Sequence, residues 1–350
     1  MKKDINIKEV ARKCGVSIAT VSRVFNNSGP VKESTRKKIE KIIEETGYRP
    51  NVLARELAEK KTHLVGMIVH SMIGEGLPRT INGVNDVLQQ HDFNLLISCS
   101  NGSFESEMKH FEIFRSKRVE GILFATREFK KEHSKIIKKL PIPVVVLLQK
   151  TSQEKIPYVA FDNYRFAKEA TKRLFELGHS KFAFIGGPVN ATNAIERQQG
   201  FVHALLESGL EVEEALIKNG DYTIEDGYWK MESLLSEKKE LTAVVAVNDG
   251  MAIGAINCLQ DHGVNVPDEI SVLGLDDTVL AKALRLKLSG VHYSYTDLGK
   301  VGAEILLKQI ESNELKFEKH LIPYTIHLRE SVARVKPSDG RMIGNIFSPQ

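Results

Sequence analysis

The sequence predicts a small all-α helix-turn-helix headpiece followed by an α/β core of two doubly wound lobes. Three observations carry this expectation. Residues 7–24 read as two short helices joined by a glycine turn, basic charge is concentrated in residues 1–61, and from Leu64 onward short apolar runs alternate with amphipathic helical stretches.

The first helix opens at Asn6, an N-cap residue with a capping-box partner at Glu9, and Val10 and Ala11 begin its apolar face. Cys14-Gly15-Val16 ends it, because Gly15 can take the positive φ of a tight turn. Ser17 then caps a second helix that presents Ile18, Ala19, Ser22 and Arg23 outward and turns Val21 and Val24 inward. Small residues at its start and an arginine on its exposed face suit entry into a DNA major groove. Two amphipathic helices meeting at a glycine would give the same pattern without that role, and charge separates the two readings. Residues 1–61 carry a net +7 and the remaining 289 a net −3. Charge packed into one module is the footprint of a phosphate-backbone ligand. A membrane surface would need a broad apolar face beside it, and the few apolar residues here are needed for the headpiece core.

Val31-Lys32-Glu33 opens a third helix, with Ile39, Ile42 and Ile43 on one face and Gly47 ending it. Pro50 blocks helix before it, and Asn51 caps a short helix after it, too short to be stable alone: either a plain linker helix or a segment that orders only when DNA and a partner subunit support it. Beyond Leu64, residues 64–69, 94–97, 121–124, 144–148, 181–185, 243–247 and 271–274 read as buried strands. Helices are expected between them, among others at 80–91, 164–177, 196–208, 225–235 and 250–262. Helices on both faces make the sheets parallel, and so many strands divide into two lobes with a ligand cleft between them.

The chain has 350 residues, 42% hydrophobic and 27% charged, the composition of a soluble globular protein. Met1-Lys2-Lys3-Asp4 lacks the apolar stretch of a secretion signal and no run is long enough to span a bilayer, so a cytoplasmic location without membrane contact is expected. Cys14, Cys99 and Cys258 read as reduced, buried small residues, and no histidine or cysteine spacing suggests a metal, so neither metal nor cofactor is expected. GxSxG, P-loop and GxGxxG motifs are absent, and a binding protein is expected in place of an enzyme.

Seven spaced motifs then coincide. They are Val-Ser-x-x-Thr-Val-Ser-Arg-Val at 16–24, Tyr48-x-Pro50-Asn51 with Ala54-Arg55-x-Leu57, Leu177-Gly178-His179, Arg197-x-x-Gly200-Phe201, Asn248-Asp249-x-x-Ala252-x-Gly254, a run from Val266-Pro267 to Asp276-Asp277, and Arg329-Glu330-Ser331. From about Asn6 to Arg334 the chain resembles the lactose-repressor (LacI/GalR) family of transcription regulators. The resemblance implies a headpiece over 1–49, a hinge helix and linker over 50–62, a core over 63–337 like periplasmic sugar-binding proteins, and a tail over 338–350. One lobe would take about 63–162 and 293–323, and the other about 163–292 and 324–337.

It further implies a homodimer on double-stranded DNA, at a pseudo-palindromic operator of carbohydrate-utilisation genes. Ile18, Ala19 and Arg23 would read bases, and Ser17, Thr20, Ser22, Tyr48 and Asn51 would meet phosphates. Ala54 and Leu57 would lie on the DNA side of the hinge helix, Leu57 as a minor-groove wedge, though ordinary helix packing would also account for it. Of the readers, only Arg23 can donate two hydrogen bonds to a guanine edge; Ile18 and Ala19 offer apolar contact alone. A small effector, a sugar or sugar phosphate, would meet His70, Asp162, Arg197, Tyr222, Asn248, Asp276, Tyr293 and Tyr295. Singly, Arg197 could be a solvated helix charge, Asp276 a loop cap, Tyr222 a core residue and Asn248 a turn residue. Phe166 stands where many relatives have Gly and Asn248 where many have Ser, and residues 284–290 depart from the usual pattern. The tail has no leucine heptad, which favours a dimer. Control by a phosphorylated protein partner, or a sugar-binding module without a DNA role, are the alternatives the sequence leaves open, and it does not decide between induction and corepression.

Overall fold

The computed structural model describes residues 5–25, 29–48, 61–72, 74, 76–151, 154–237, 239–312 and 314–335. Most of the expected hinge, with Asn51, Ala54 and Leu57, and the tail lie outside these residues. The chain divides into two compact units, Met1–Thr62 and His63–Gln350.

In the first unit, α1 (Ile7–Cys14), α2 (Ile18–Phe25) and α3 (Glu33–Thr46) close a miniature core. The capping box forms, with the Glu9 N–H donating to Asn6 Oδ1 at 3.1 Å and the Asn6 N–H to Glu9 Oε2 at 3.3 Å. Gly15 turns the chain with φ 65°, and Ser17 Oγ accepts from the Thr20 N–H at 3.1 Å to start α2. Val10, Ala11, Cys14, Val21, Val24, Ile39 and Tyr48 are buried together.

The second unit contains, in order, β1 (Leu64–Val69), α4 (Gly76–Gln90), β2 (Asn94–Cys99), α5 (Phe104–Ser116), β3 (Gly121–Ala125), α6 (Lys131–Ile137), β4 (Val144–Leu147) and β5 (Tyr158–Phe161). There follow α7 (Asn163–Glu176), β6 (Phe182–Gly186), α8 (Thr192–Glu207), β7 (Ile217–Asn219), α9 (Ile224–Ser236), β8 (Ala243–Ala246), α10 (Asp249–Asp261), β9 (Ser271–Gly274) and α11 (Val279–Ala283). The last elements are β10 (Gly290–Tyr293), α12 (Tyr295–Ser312), β11 (Lys319–Ile322) and β12 (Tyr324–His327).

One lobe is built on a six-stranded sheet in the order β11-β5-β4-β3-β1-β2, the other on a four-stranded sheet in the order β7-β6-β8-β9. Every pairing within these two sheets is parallel. That is the expected doubly wound fold, and it follows from strands such as β3, β4, β6 and β8, in which every residue is buried. An antiparallel ribbon pairs β10 with β12 in the register Tyr293 to Tyr324. The chain passes between lobes three times, after β5, after β10 and before β12.

Five strands were not expected from sequence: β5, β7, β10, β11 and β12. They are three or four residues long, and β7 and β11 are edge strands whose outward residues give no apolar run. The cysteine expectation needs one correction. Cys14 and Cys258 are buried, but Cys99 is only half-buried, because β2 is the outer strand of its sheet.

α9 and α10 meet backbone to backbone. A Cβ at Gly254 would lie 2.0 Å from the Ile224 carbonyl oxygen, and one at Gly227 would lie 2.5 Å from that of Met251. Among the described residues, no helix is long and apolar enough to cross a membrane.

Candidate functional site

Two surfaces carry the chemistry. On α2, Ile18 is 43% exposed, and Ala19 and Arg23 are exposed beside it, while Val21 and Val24 are buried. Ser17 and Thr20 join hydroxyls at 2.9 Å. Tyr48 differs from its neighbours in the expected DNA-facing set: it is buried in the headpiece core, where it closes the packing after α3.

In the core, the carboxyl ends of the strands from both lobes surround a cavity of about 560 Å³, a volume suited to a small metabolite. His70, Arg197, Tyr222, Asn248, Asp276 and Tyr295 line it. Two residues of the expected set do not. Asp162 caps α7, accepting from the Arg165 N–H and pairing with Lys150 Nζ at 3.1 Å. Tyr293 is buried behind Arg197, at the lobe crossover.

Arg197 is 3% exposed and its donors are almost all satisfied within the protein. Nε donates to Asn163 Oδ1 at 3.0 Å, Nη1 to the Val247 carbonyl at 2.5 Å and to Asp276 Oδ1 at 2.9 Å, and Nη2 to the Tyr293 hydroxyl at 2.7 Å. Among the described residues, one of the five guanidinium N–H groups has no protein acceptor. The cation also lies 5.0 Å from the Phe166 ring, which stacks on Tyr293. Burial opposes the Arg197 charge, but Tyr293 and Asp276 outweigh it and hold the guanidinium protonated. The Tyr293 hydroxyl in turn donates to Asp276 Oδ1.

Asn248 serves as helix cap and clamp together. Its Oδ1 accepts from the Met251 N–H at 2.8 Å, and its Nδ2 donates to the Tyr222 carbonyl at 3.0 Å. Tyr222 is held at φ 76°, a strained conformation for a large residue, and its hydroxyl donates to Asn193 Oδ1 at 3.1 Å. The backbone strain at this lining residue is thus held by two asparagines. His70 directs Nδ1 at the Ala125 carbonyl, 3.3 Å away. Burial and nearby Arg127 lower its pKa to about 4, so at neutral pH the imidazole is uncharged.

Sequence reasoning missed Arg127 and Asp249. Arg127 lines the cavity, is exposed, and among the described residues its guanidinium has no hydrogen-bond or ion-pair partner. Its loop is fixed from beneath. Gln149 Nε2 donates to the Thr126 and Arg127 carbonyls at 3.3 and 2.8 Å, and Thr126 Oγ1 donates to buried Glu107 at 2.8 Å. Glu107 also meets His133 Nε2 at 2.9 Å. The available signal was position: Arg127 lies three residues past the carboxyl end of the expected strand 121–124, where ligands of open α/β sheets bind.

Asp249 is 2% exposed. Its Oδ2 accepts from the Thr278 N–H and hydroxyl, both at 2.7 Å, and its buried Oδ1 has no hydrogen-bond partner among the described residues. Burial, with nearby Asp276, pushes its pKa up from 3.8 to about 7. The folded protein therefore holds a proton that the unfolded chain releases above about pH 4. The associated stability is complete below that pH and is lost as pH rises through 7. Asp249→Asn keeps an acceptor for Thr278 and is expected to flatten this slope. Urea unfolding should show the difference in stability between about pH 5 and about pH 8 shrinking by roughly 2–3 kcal/mol.

A basic helix-turn-helix unit with an exposed second helix, joined to a two-lobed core whose cavity is lined by charged and polar side chains, defines a DNA-binding transcription regulator. Residues 6–51 match the family described as bacterial regulatory proteins, lacI family, and residues 171–332 match a periplasmic binding protein-like domain. Catabolite control protein A of Priestia megaterium is 36% identical over 94% of this chain and 99% of its own length. Among solved structures, the Lac repressor bound to ONPG in its repressed state is 25% identical, with TM-score 0.86 over 94% of this chain and 100% of that one. The transcriptional regulator CelR in complex with cellobiose is 27% identical, with TM-score 0.70 over 93% and 99%. The chain belongs to the lacI family of bacterial regulatory proteins.

Proposed function

We propose that the chain binds a pseudo-palindromic operator as a homodimer, α2 of each copy entering a major groove. In this reading a carbohydrate bearing an anionic group, a sugar phosphate or a sugar acid, sets operator affinity from the cavity. The observation that carries the choice of effector is Arg127. Among the described residues its guanidinium has no hydrogen-bond or ion-pair partner, and its loop is anchored by a buried network, in a cavity whose remaining groups suit hydroxyls: Asn193, Asn248, the second Asp276 oxygen and the Tyr222 ring. The cellobiose complex of CelR and the ONPG complex of the Lac repressor support a carbohydrate as the ligand class. Coupling needs only that effector affinity differ between the operator-bound and free arrangements of the lobes.

Titration calorimetry with glucose, glucose 6-phosphate and glucuronate, paired with operator binding, tests this reading. The charged sugars are expected to bind more tightly, and Arg127→Gln should weaken them by about 10- to 100-fold, the worth of a charged hydrogen bond, while sparing glucose. Equal binding of neutral and charged sugars in both proteins would remove the anionic preference. If no sugar alters operator affinity, the carbohydrate reading falls as a whole.

Arg23→Ala tests the DNA side. It should lose discrimination between operator and random DNA and keep a weak, salt-dependent affinity. Competition binding at two salt concentrations distinguishes that outcome from simple unfolding of the headpiece.

A further inference from the structure

Asn248 to Gly250, at the amino end of α10, border the cavity, and a separate group of side chains gathers at the other end of that helix. Cys258 and His262 stand one turn apart on α10 and its carboxyl cap, and Glu232 reaches them from α9. Glu232 Oε2 lies 3.3 Å from His262 Nε2 and 3.5 Å from Cys258 Sγ. One donor atom from each of the three lies within 4.8 Å of the other two.

The two separations from Glu232 Oε2 match edges of a tetrahedral site. Zinc bonds of about 2.0 Å to nitrogen and oxygen and about 2.3 Å to sulfur place a nitrogen and an oxygen about 3.3 Å apart, and an oxygen and a sulfur about 3.5 Å apart. The imidazole is also oriented as a ligand. Its Nδ1 is 2.9 Å from the Cys258 carbonyl oxygen, and this bond turns the Nε2 lone pair toward the carboxylate, as the backbone bonds of zinc-binding histidines do. Cys258 is buried, whereas the side chains of Glu232 and His262 are 43% and 41% exposed. An ion held between them would keep a coordination position open to water.

We propose that Glu232, Cys258 and His262 form a binding site for Zn²⁺ in the second lobe, distinct from the effector cavity. Binding forms a sulfur–zinc bond and releases the thiol proton to solvent, with no change of oxidation state. The local sequence hides the site, because Cys258 and His262 supply only two donors and the third lies 26 residues earlier on a different helix.

The test uses the full-length protein, stripped with chelator and kept reduced with a phosphine, and Co²⁺ as a spectroscopic stand-in for zinc. The expected result is a sulfur-to-cobalt charge-transfer band with the visible bands of tetrahedral cobalt, saturating at one ion per chain and bleached by Zn²⁺. Cys258→Ala should abolish the charge-transfer band, and His262→Gln should lower Zn²⁺ affinity by at least about 100-fold. Both variants should keep wild-type circular dichroism and operator binding. If either fails to fold, Glu232→Gln should show the same loss of affinity. No charge-transfer band in the wild-type protein, or one that survives Cys258→Ala, overturns the proposal and leaves Glu232 and His262 as a plain carboxylate–histidine contact.

Discussion

Arg197→Met is expected to lower the unfolding free energy of the core by about 3–5 kcal/mol and to abolish the effect of any cavity ligand on operator binding. Methionine fills much of the same space beneath Phe166, so the loss is electrostatic. Asp276 is left without the cation, the Val247 carbonyl loses its donor, and the Tyr293 hydroxyl loses the donor it accepts from at the crossover. Adding Asp276→Asn should recover part of the stability and none of the response, because it removes the stranded charge without rebuilding the clamp. Chemical denaturation of the single and double variants measures the coupling directly. Equal destabilisation with or without Asp276→Asn would show that the pair is not what holds this end of the cavity together.

The second large effect is expected from Gly254→Val. Here the obstacle is backbone: a Cβ would meet the Ile224 carbonyl oxygen at 2.0 Å and the Tyr228 nitrogen at 2.5 Å, so no rotamer relieves the clash. The two helices must separate, opening the contact that carries Met251 and Met231 in the buried core. A loss of about 3 kcal/mol or more is expected, at or above the upper end for overpacked cores. Gly209→Ala is the control. It has open space around it but a positive φ of 72°, so its cost comes from conformation alone and should be about 1 kcal/mol. Thermal melts of the two variants separate steric from conformational cost, and similar shifts would show that α9 and α10 are free to move apart.

What was legible in the sequence was local or repetitive. The capping box at Asn6 and Glu9, the turn at Gly15 and the cap at Ser17 each join residues at most four apart, and each is present. The long buried strands announce themselves because parallel sheets covered on both faces need unbroken apolar runs. Edge and ribbon strands carry no such run, so β11, with three exposed residues of four, could not be seen. The cavity was legible only in part. Family-like motifs point to Arg197 and Asp276, but Arg127 depends on Gln149 and Glu107, about 20 residues away on either side, to hold its loop. Nor could spacing alone show that Asn248 would divide its amide between a helix cap and the carbonyl of Tyr222.

The long helix α12 covers β3, β4 and β5, and β11 supplies the last strand of the same sheet, yet both follow nearly all of the second lobe in the chain. During synthesis the first lobe therefore emerges from the ribosome with one flank of its sheet bare, Leu123, Leu147 and Val159 among the residues still waiting for their cover. Protection of that flank falls to whatever attends the nascent chain until translation has passed residue 322.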